Sequence, residues 1–319
     1  MSSTVVPVLE IGGTHVTAAL VDSGAGVVVP DSVRRDGLDA SAAAESILGA
    51  ILGCAASVKA APGAPWGVAV PGPFDYARGI ALFSGVGKFE ALYGVDVRAR
   101  LMAGVTPQPG SISFLNDADA FLTGEALFGA AVGHDRCVGI TLGTGVGSAF
   151  LADGVLLDAG PGVPPEGRVD LLRIGGVPLE DVVSRRAIRR HYQQLLGTRH
   201  GDGSTDSTGS TDSLDVAQIA TSARDGEPHA VEALSTAFTA LGEALGPWIA
   251  DFGATALVVG GSMAGSWDLV EPPLRAGITR SVPDLPSRIV IREAADSDHA
   301  ALLGAAAFAS AAADHGAPG

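Results

Sequence analysis

The sequence predicts two α/β halves with mixed sheets. Strand-like and helix-like periodicities alternate along all 319 residues. A short turn of glycine and threonine occurs twice, as Gly12-Gly13-Thr14 and Gly143-Thr144-Gly145, once near the start of each half. Each turn joins two extended segments, and such opening hairpins argue against a purely doubly wound parallel sheet.

In chain order, Val5 to Leu9 reads as a strand, broken at Ile11 to Thr14 and resumed from Val16 to Val21. A third strand is expected at Val27 to Val29, a helix from about Ala40 to Ala60, and strands at Gly67 to Val70 and Ile80 to Phe83. The loop Ser84-Gly85-Val86-Gly87-Lys88 and a helix near Val95 to Met102 lead to a strand at Ile112 to Leu115 and a helix from Ala118 to Phe128. The second half repeats the hairpin with strands at Cys137 to Leu142, Val146 to Leu151 and Val155 to Leu157. A helical pass from Leu179 to Leu196 is followed by Thr198 to Ser213, rich in Gly, Ser, Thr and Asp, which reads as a mobile surface insertion. Helices at Val216 to Ala223, Pro228 to Phe252, Leu269 to Arg280 and Asp298 to Ala313, with strands at Ala256 to Val259 and Ile289 to Ile291, complete the expectation.

Composition narrows the function classes. With 47% hydrophobic and 17% charged residues the chain can bury two sizeable cores. Lys+Arg 20 against Asp+Glu 35 gives a net charge of −15, which argues against nucleic acid as a partner. The basic cluster Arg185, Arg186, Arg189 and Arg190 falls on a helical stretch and reads as a solvated face. Cys54 and Cys137 stand in unlike contexts and read as free thiols in a reducing cytoplasm. No signal peptide opens the chain, and the Ala-rich window 300–313 is too short to span a bilayer, so no membrane role is expected.

The chemistry concentrates where strands end. Asn116-Asp117 lies at a strand-to-helix junction, where Asn and Asp are the preferred helix caps; Asp117 is nonetheless the candidate catalytic base. The two Gly-Thr turns offer backbone N–H groups and a hydroxyl, which is what a polyphosphate needs from a neutral cradle. Neither opens a helix, so neither is a dinucleotide fingerprint, and no P-loop motif is present. Gly260-Gly261-Ser262 is a third glycine-rich strand end and suits the adenosine side of a nucleotide.

Taken in order, Ile11-Gly12-Gly13-Thr14, Val70-Pro71-Gly72-Pro73, Asn116-Asp117-Ala118, Gly124-Glu125, Ile140 to Gly147, Leu179-Glu180 and Val259-Gly260-Gly261 resemble the ROK family of sugar kinases and related repressors. The resemblance spans nearly the whole chain. It implies an actin-like ATPase fold of two ribonuclease-H-like domains, with ATP and a sugar meeting in an interdomain cleft. The domains would be 1–116 plus 299–319, and 117–298 carrying the mobile insertion 198–213. ATP would contact Gly12, Gly13, Thr14, Gly143, Thr144, Gly145, Gly260 and Gly261. Asn116, Gly72 and Glu180 would contact the sugar, and Asp117 would take the proton of the attacking hydroxyl.

Three departures change what is expected. Glu10 stands where the family usually has Asp, so a water-mediated contact to Mg²⁺ would be made by a longer arm. His15 stands where Lys is common and reads as a strand side chain. Residues 160–176 contain neither His nor Cys, so no structural zinc is expected, and Glu166 and Asp170 are either substrate contacts or solvated loop acids. The resulting expectation is an ATP- and Mg²⁺-dependent kinase acting on a hexose-like sugar or a cyclitol. A sugar-sensing regulator acting through a protein partner is the alternative; with the hairpin starting inside the first ten residues, a preceding helix-turn-helix is not expected. An acetate-kinase-like activity is disfavoured by the motifs around Asn116-Asp117 and Leu179-Glu180. Related kinases are often dimers or tetramers, and a homodimer is compatible with the sequence, in which no interface stripe stands out.

Overall fold

The chain begins as the expected hairpin: β1 (Val5–Ile11) runs antiparallel to β2 (His15–Asp22), with Ile11 opposite Val16. The computed structural model describes residues 5–197 and 214–314, so the insertion expected at 198–213 lies outside the described residues. They fall into two units, one running to Val132 and resuming at Ala295, the other Gly133–Ala294.

In the first unit, β3 (Val27–Val28) and β4 (Arg34–Gly37) both pair with β2. Helix α1 (Ala44–Ala56) precedes β5 (Pro65–Val70), and β6 (Phe74–Asp75) and β7 (Ile80–Ala81) form a small hairpin. Helix α2 (Val97–Gly104) is capped by Asp96, whose carboxylate accepts from Ala99 N–H at 2.8 Å. It leads to β8 (Ser111–Asn116) and α3 (Asp117–Phe128). The sheet order is β3-β2-β1-β5-β8, with β1, β5 and β8 parallel. Trp66, Val68, Ala69 and Val70 of β5 are all buried, as a parallel strand covered on both faces requires.

The second unit opens with β9 (Arg136–Leu142), β10 (Val146–Ala152) and β11 (Val155–Leu156). A looped stretch carries the short hairpin β12 (Arg173–Ile174) and β13 (Val177–Pro178), followed by α4 (Glu180–Val183) and α5 (Arg185–Gly197). Then come α6 (Val216–Arg224), α7 (Pro228–Phe252), β14 (Ala256–Gly260), α8 (Trp267–Ser281) and β15 (Val290–Glu293), in a sheet ordered β11-β10-β9-β14-β15. Helix α9 (Ala300–Asp314) then returns to the first unit and packs on its sheet.

Three expectations are corrected. The first unit extends to Val132 and resumes at Ala295, instead of ending at 116 and resuming at 299. The reason is the pairing of α3 with α9: a β-carbon on Gly124 would lie 2.0 Å from Ala300 O, and one on Gly304 1.9 Å from Ala120 O, so the helices cross backbone on backbone. Buried Glu125 fastens the same region by accepting from Ala130 N–H at 2.6 Å and Ala295 N–H at 3.1 Å. The helical pass near 179–196 is two helices, because buried Ser184 turns the chain into extended backbone and its Oγ accepts from Ala187 N–H at 3.4 Å. The arginines of α5 are not one solvated face: Arg185 is half-buried and donates to Ser262 Oγ at 3.1 Å, while Arg186 and Arg190 are exposed.

Candidate active site

Strand register assembles the acidic centre of the first unit. Glu10 lies opposite Ala69, Ala69 opposite Leu115, and Val70 opposite Asn116, so Glu10 shares a row with the strand end from which Asp117 starts α3. Asn116 is the helix cap, its Oδ1 accepting from Ala118 N–H at 2.9 Å and Asp119 N–H at 3.4 Å. Such a cap contributes about 1 kcal/mol and fixes the side chain's direction. Its Nδ2 donates to Tyr76 Oη at 3.0 Å, and the phenol hydroxyl is 3.4 Å from Val70 O. Gly72 stands beside this pair: a β-carbon there would lie 3.4 Å from Tyr76 Oη and 4.0 Å from Asn116 Nδ2.

Asp117 is half-buried, with Oδ1 accepting from Ala118 N–H at 3.0 Å. Burial pushes its carboxyl up, and the charge of Lys88 pulls it back down. Glu10 is pushed up to about 7, first by burial and then by the Asp117 carboxylate; Asp298 adds to the shift, while Arg35 and His299 oppose it. His15 opens β2 and is held through both ring nitrogens, Nδ1 to Thr14 Oγ1 at 3.1 Å and Nε2 to Arg35 Nη2 at 2.8 Å. Burial and Arg35 hold its pKa down. Gly12 N–H donates to His15 O at 2.9 Å and so closes the Gly12-Gly13-Thr14 turn, on which Thr14 is exposed.

The second unit gathers another set of predicted residues around its own turn. Gly143 N–H donates to Gly145 O at 3.0 Å, leaving Thr144 exposed at the tip. Gly261 follows β14 at φ +85°, and a β-carbon on it would meet Leu142 O at 2.5 Å, so glycine is needed for this approach. Arg185 N–H donates to Gly143 O at 3.1 Å, which ties the start of α5 to the turn. Glu180 opens α4 with Oε2 3.1 Å from where a β-carbon on Gly145 would be.

Glu166 and Asp170 lie on the loop before Glu180, and the three acids surround one cation. Arg168 pairs with Asp170 at 2.6 Å and 3.2 Å. That hydrogen bond holds the guanidinium pKa up, with the charges of Glu166 and Glu180 adding to it and desolvation opposing. The loop is fastened at Ser148, whose Oγ donates to Gly167 O at 2.6 Å and accepts from Val169 N–H at 3.0 Å. Among the described residues, no group of three or more His, Cys, Asp or Glu side chains is placed to hold a metal.

Sequence reasoning missed Tyr76, Arg168 and the Arg185–Ser262 contact as parts of these sites. Tyr76 follows the Pro71-Gly72-Pro73 strand end closely, and Arg168 lies between Glu166 and Asp170; these were the available signals. Nothing local marks Arg185 off from its neighbouring arginines.

The profile of the ROK family matches residues 7–312. The chain belongs to the ROK family. Among curated relatives of this ROK protein, a glucokinase of Thermotoga maritima is 29% identical over 313 residues, covering 94% of this chain and 95% of that one. The crystal structure of a ROK family glucokinase from Streptomyces griseus, in complex with glucose and AMPPNP, is 26% identical with a TM-score of 0.76 over 96% of this chain and 99% of that chain. A ROK family transcriptional regulator, a homologue of the E. coli MLC protein, is 21% identical with a TM-score of 0.75 over 97% and 78% of the two chains, a likeness of fold alone. The fold is the actin-like ATPase fold, each α/β unit being one ribonuclease-H-like half.

Proposed function

We propose that this ROK protein is a kinase that transfers the terminal phosphoryl group of ATP to a hydroxyl of a hexose-like sugar or cyclitol, with Asp117 as general base. The observation that carries the reading is Asp117 itself, a half-buried carboxylate fixed at the first residue of α3 with its pKa raised by burial. A base whose pKa rises toward working pH accepts a proton more readily in the transition state. The acceptor oxygen forms a bond to the γ-phosphorus, the bond to the β,γ-bridging oxygen breaks, and its electron pair leaves with ADP. Asp117 takes the hydroxyl proton. Little else is asked of the protein in phosphoryl transfer than positioning and charge stabilisation.

Asn116 orients the acceptor: Oδ1 is committed to the helix cap and one amide hydrogen to Tyr76, so the other hydrogen is the group it offers. Gly72 leaves room beside that amide. The Gly12-Gly13-Thr14 turn serves the phosphates from the first unit. In the second unit, Gly143-Thr144-Gly145 and Gly260-Gly261 take up the nucleotide, and an apolar recess lined by Val216, Ala217, Leu234, Phe238 and Met263 beside Arg185 suits the base. Glu180 serves the sugar. Glu166 and Asp170 are further sugar contacts in this reading, Asp170 through its pair with Arg168.

Glu10 also fits Mg²⁺, since a buried carboxylate that resists ionisation beside a second carboxylate gains from a divalent charge. Glu10 would hold the ion through water, and the ion would neutralise charge on the β- and γ-phosphates. No structural zinc enters the proposal, and the cytoplasm is the compartment that this reading assigns to the protein.

The test is a panel of hexoses, modified hexoses and cyclitols assayed for Mg²⁺-dependent ADP release. At least one polyol should be turned over, and Asp117→Asn should lower kcat by about 10²- to 10⁴-fold with a melting temperature no lower than that of the wild type. If no polyol is phosphorylated and calorimetry finds sugar binding indifferent to ATP, the protein is a sugar sensor instead.

A further inference from the structure

Lys88 is held in place by a loop anchored at both ends. Phe83 and Phe89 flank the loop, both buried with ring centroids 5.1 Å apart. Gly85 and Gly87 adopt φ +68° and +71°, Gly87 N–H donates to Glu90 Oε1 at 2.9 Å, and Phe89 N–H donates to Ala40 O at 2.7 Å. These contacts direct the half-buried Lys88 side chain over the phosphate turn, with Cδ 4.0 Å from where a β-carbon on Gly13 would be. Its charge is the one opposing burial at Asp117. Around the same centre Glu10 is an acid, Asp298 adds a further negative charge, and Arg35 is engaged with His15.

We infer that Lys88 is a catalytic residue, its ammonium binding the phosphoryl group as that group passes from the Gly12-Gly13-Thr14 turn to the acceptor beside Asp117. The inference rests on the kinase reading. A phosphoryl group in transfer spreads negative charge over its equatorial oxygens, and in a centre built from carboxylates that charge needs a fixed cation. A lysine supplies a compact point charge on a flexible stem, suited to following the group along its path.

The experiment compares Lys88→Met and Lys88→Arg with the wild type, using a sugar the wild type phosphorylates. Lys88→Met should lower kcat about 10²-fold, the loss typical of one removed transition-state donor, with the KM for sugar within a few-fold and the melting temperature retained. Lys88→Arg should recover at least tenfold of that loss. By calorimetry without sugar, Lys88→Met should lose affinity for the non-hydrolysable analogue AMPPNP while binding ADP as the wild type does. If Lys88→Met keeps kcat within threefold, or loses ADP and AMPPNP affinity equally, the inference is overturned while the kinase reading stands. A wild type that turns over no polyol overturns the kinase reading first, and is told apart by that alone. Should Lys88→Met melt early, Lys88→Gln takes its place under the same criteria.

Discussion

Glu10 is harder to ionise in the folded chain than in the unfolded one, and the sign of that difference sets a pH dependence. With its folded pKa pushed up to about 7 from 4.5, the native state binds the proton more tightly. Stability attached to this residue is therefore present at acid pH and lost as pH rises from the unfolded value through 7. Glu10→Gln, neutral throughout, should melt higher than the wild type at pH 8 and by a much smaller margin at pH 5. Thermal unfolding at the two pH values checks this, and equal margins would show that Glu10 is not strained by its charge. At this scale the sequence marked the Asn116-Asp117 junction because Asn and Asp are preferred at helix starts, and Asn116 does cap α3. It could not reveal Tyr76, whose contact with Asn116 spans 40 residues and exists only because β5 and β8 lie side by side.

Elements were legible where their stabilisation is local. Helix α7 begins at Pro228 after Glu227, whose carboxylate accepts from His229 N–H and Ala230 N–H, and it stops at Gly253 in the left-handed region, so both ends are written in the chain. Strand β4 was not legible: Arg34, Arg35, Asp36 and Gly37 are all exposed and carry no apolar alternation, and the strand exists because β2 offers it a backbone edge. The contact between α3 and α9 was equally hidden, since Gly124 and Gly304 look like helix weakeners until the two backbones meet there. Gly304→Ala should therefore destabilise the protein by about 1–3 kcal/mol through overpacking. Gly53→Ala in α1, where nothing lies within 4 Å of the new β-carbon, should stabilise it by about 0.5–1 kcal/mol from helix propensity alone. Chemical denaturation of the two variants measures both signs, and a Gly304→Ala protein as stable as Gly53→Ala would mean that the helices do not cross as described.

At the scale of the whole molecule, the proposed base and the Gly12-Gly13-Thr14 turn belong to a unit that the chain leaves at Val132 and re-enters at Ala295. Helix α9 buries Ala301, Leu302, Ala305, Ala306 and Ala309, and a β-carbon on Gly67 of β5 would lie 2.2 Å from Ala305 O, so this helix is seated directly on β5. A chain ended after Ala294 should lose hydrogen-exchange protection in β1, β5 and β8 while keeping it in β9, β10 and β14. Protection retained throughout would show that the sheet of the first unit stands without its last helix. The same arrangement reverses the order in which a ribosome can finish the two halves. Domains commonly fold as they emerge, amino-terminal first, yet here β1 to α3 leave the exit tunnel and must wait for the whole Gly133–Ala294 unit to be translated before α9 arrives to cover them. The half made first is completed last, and during that interval the apolar face of β5 is the surface a nascent-chain chaperone would have to shield.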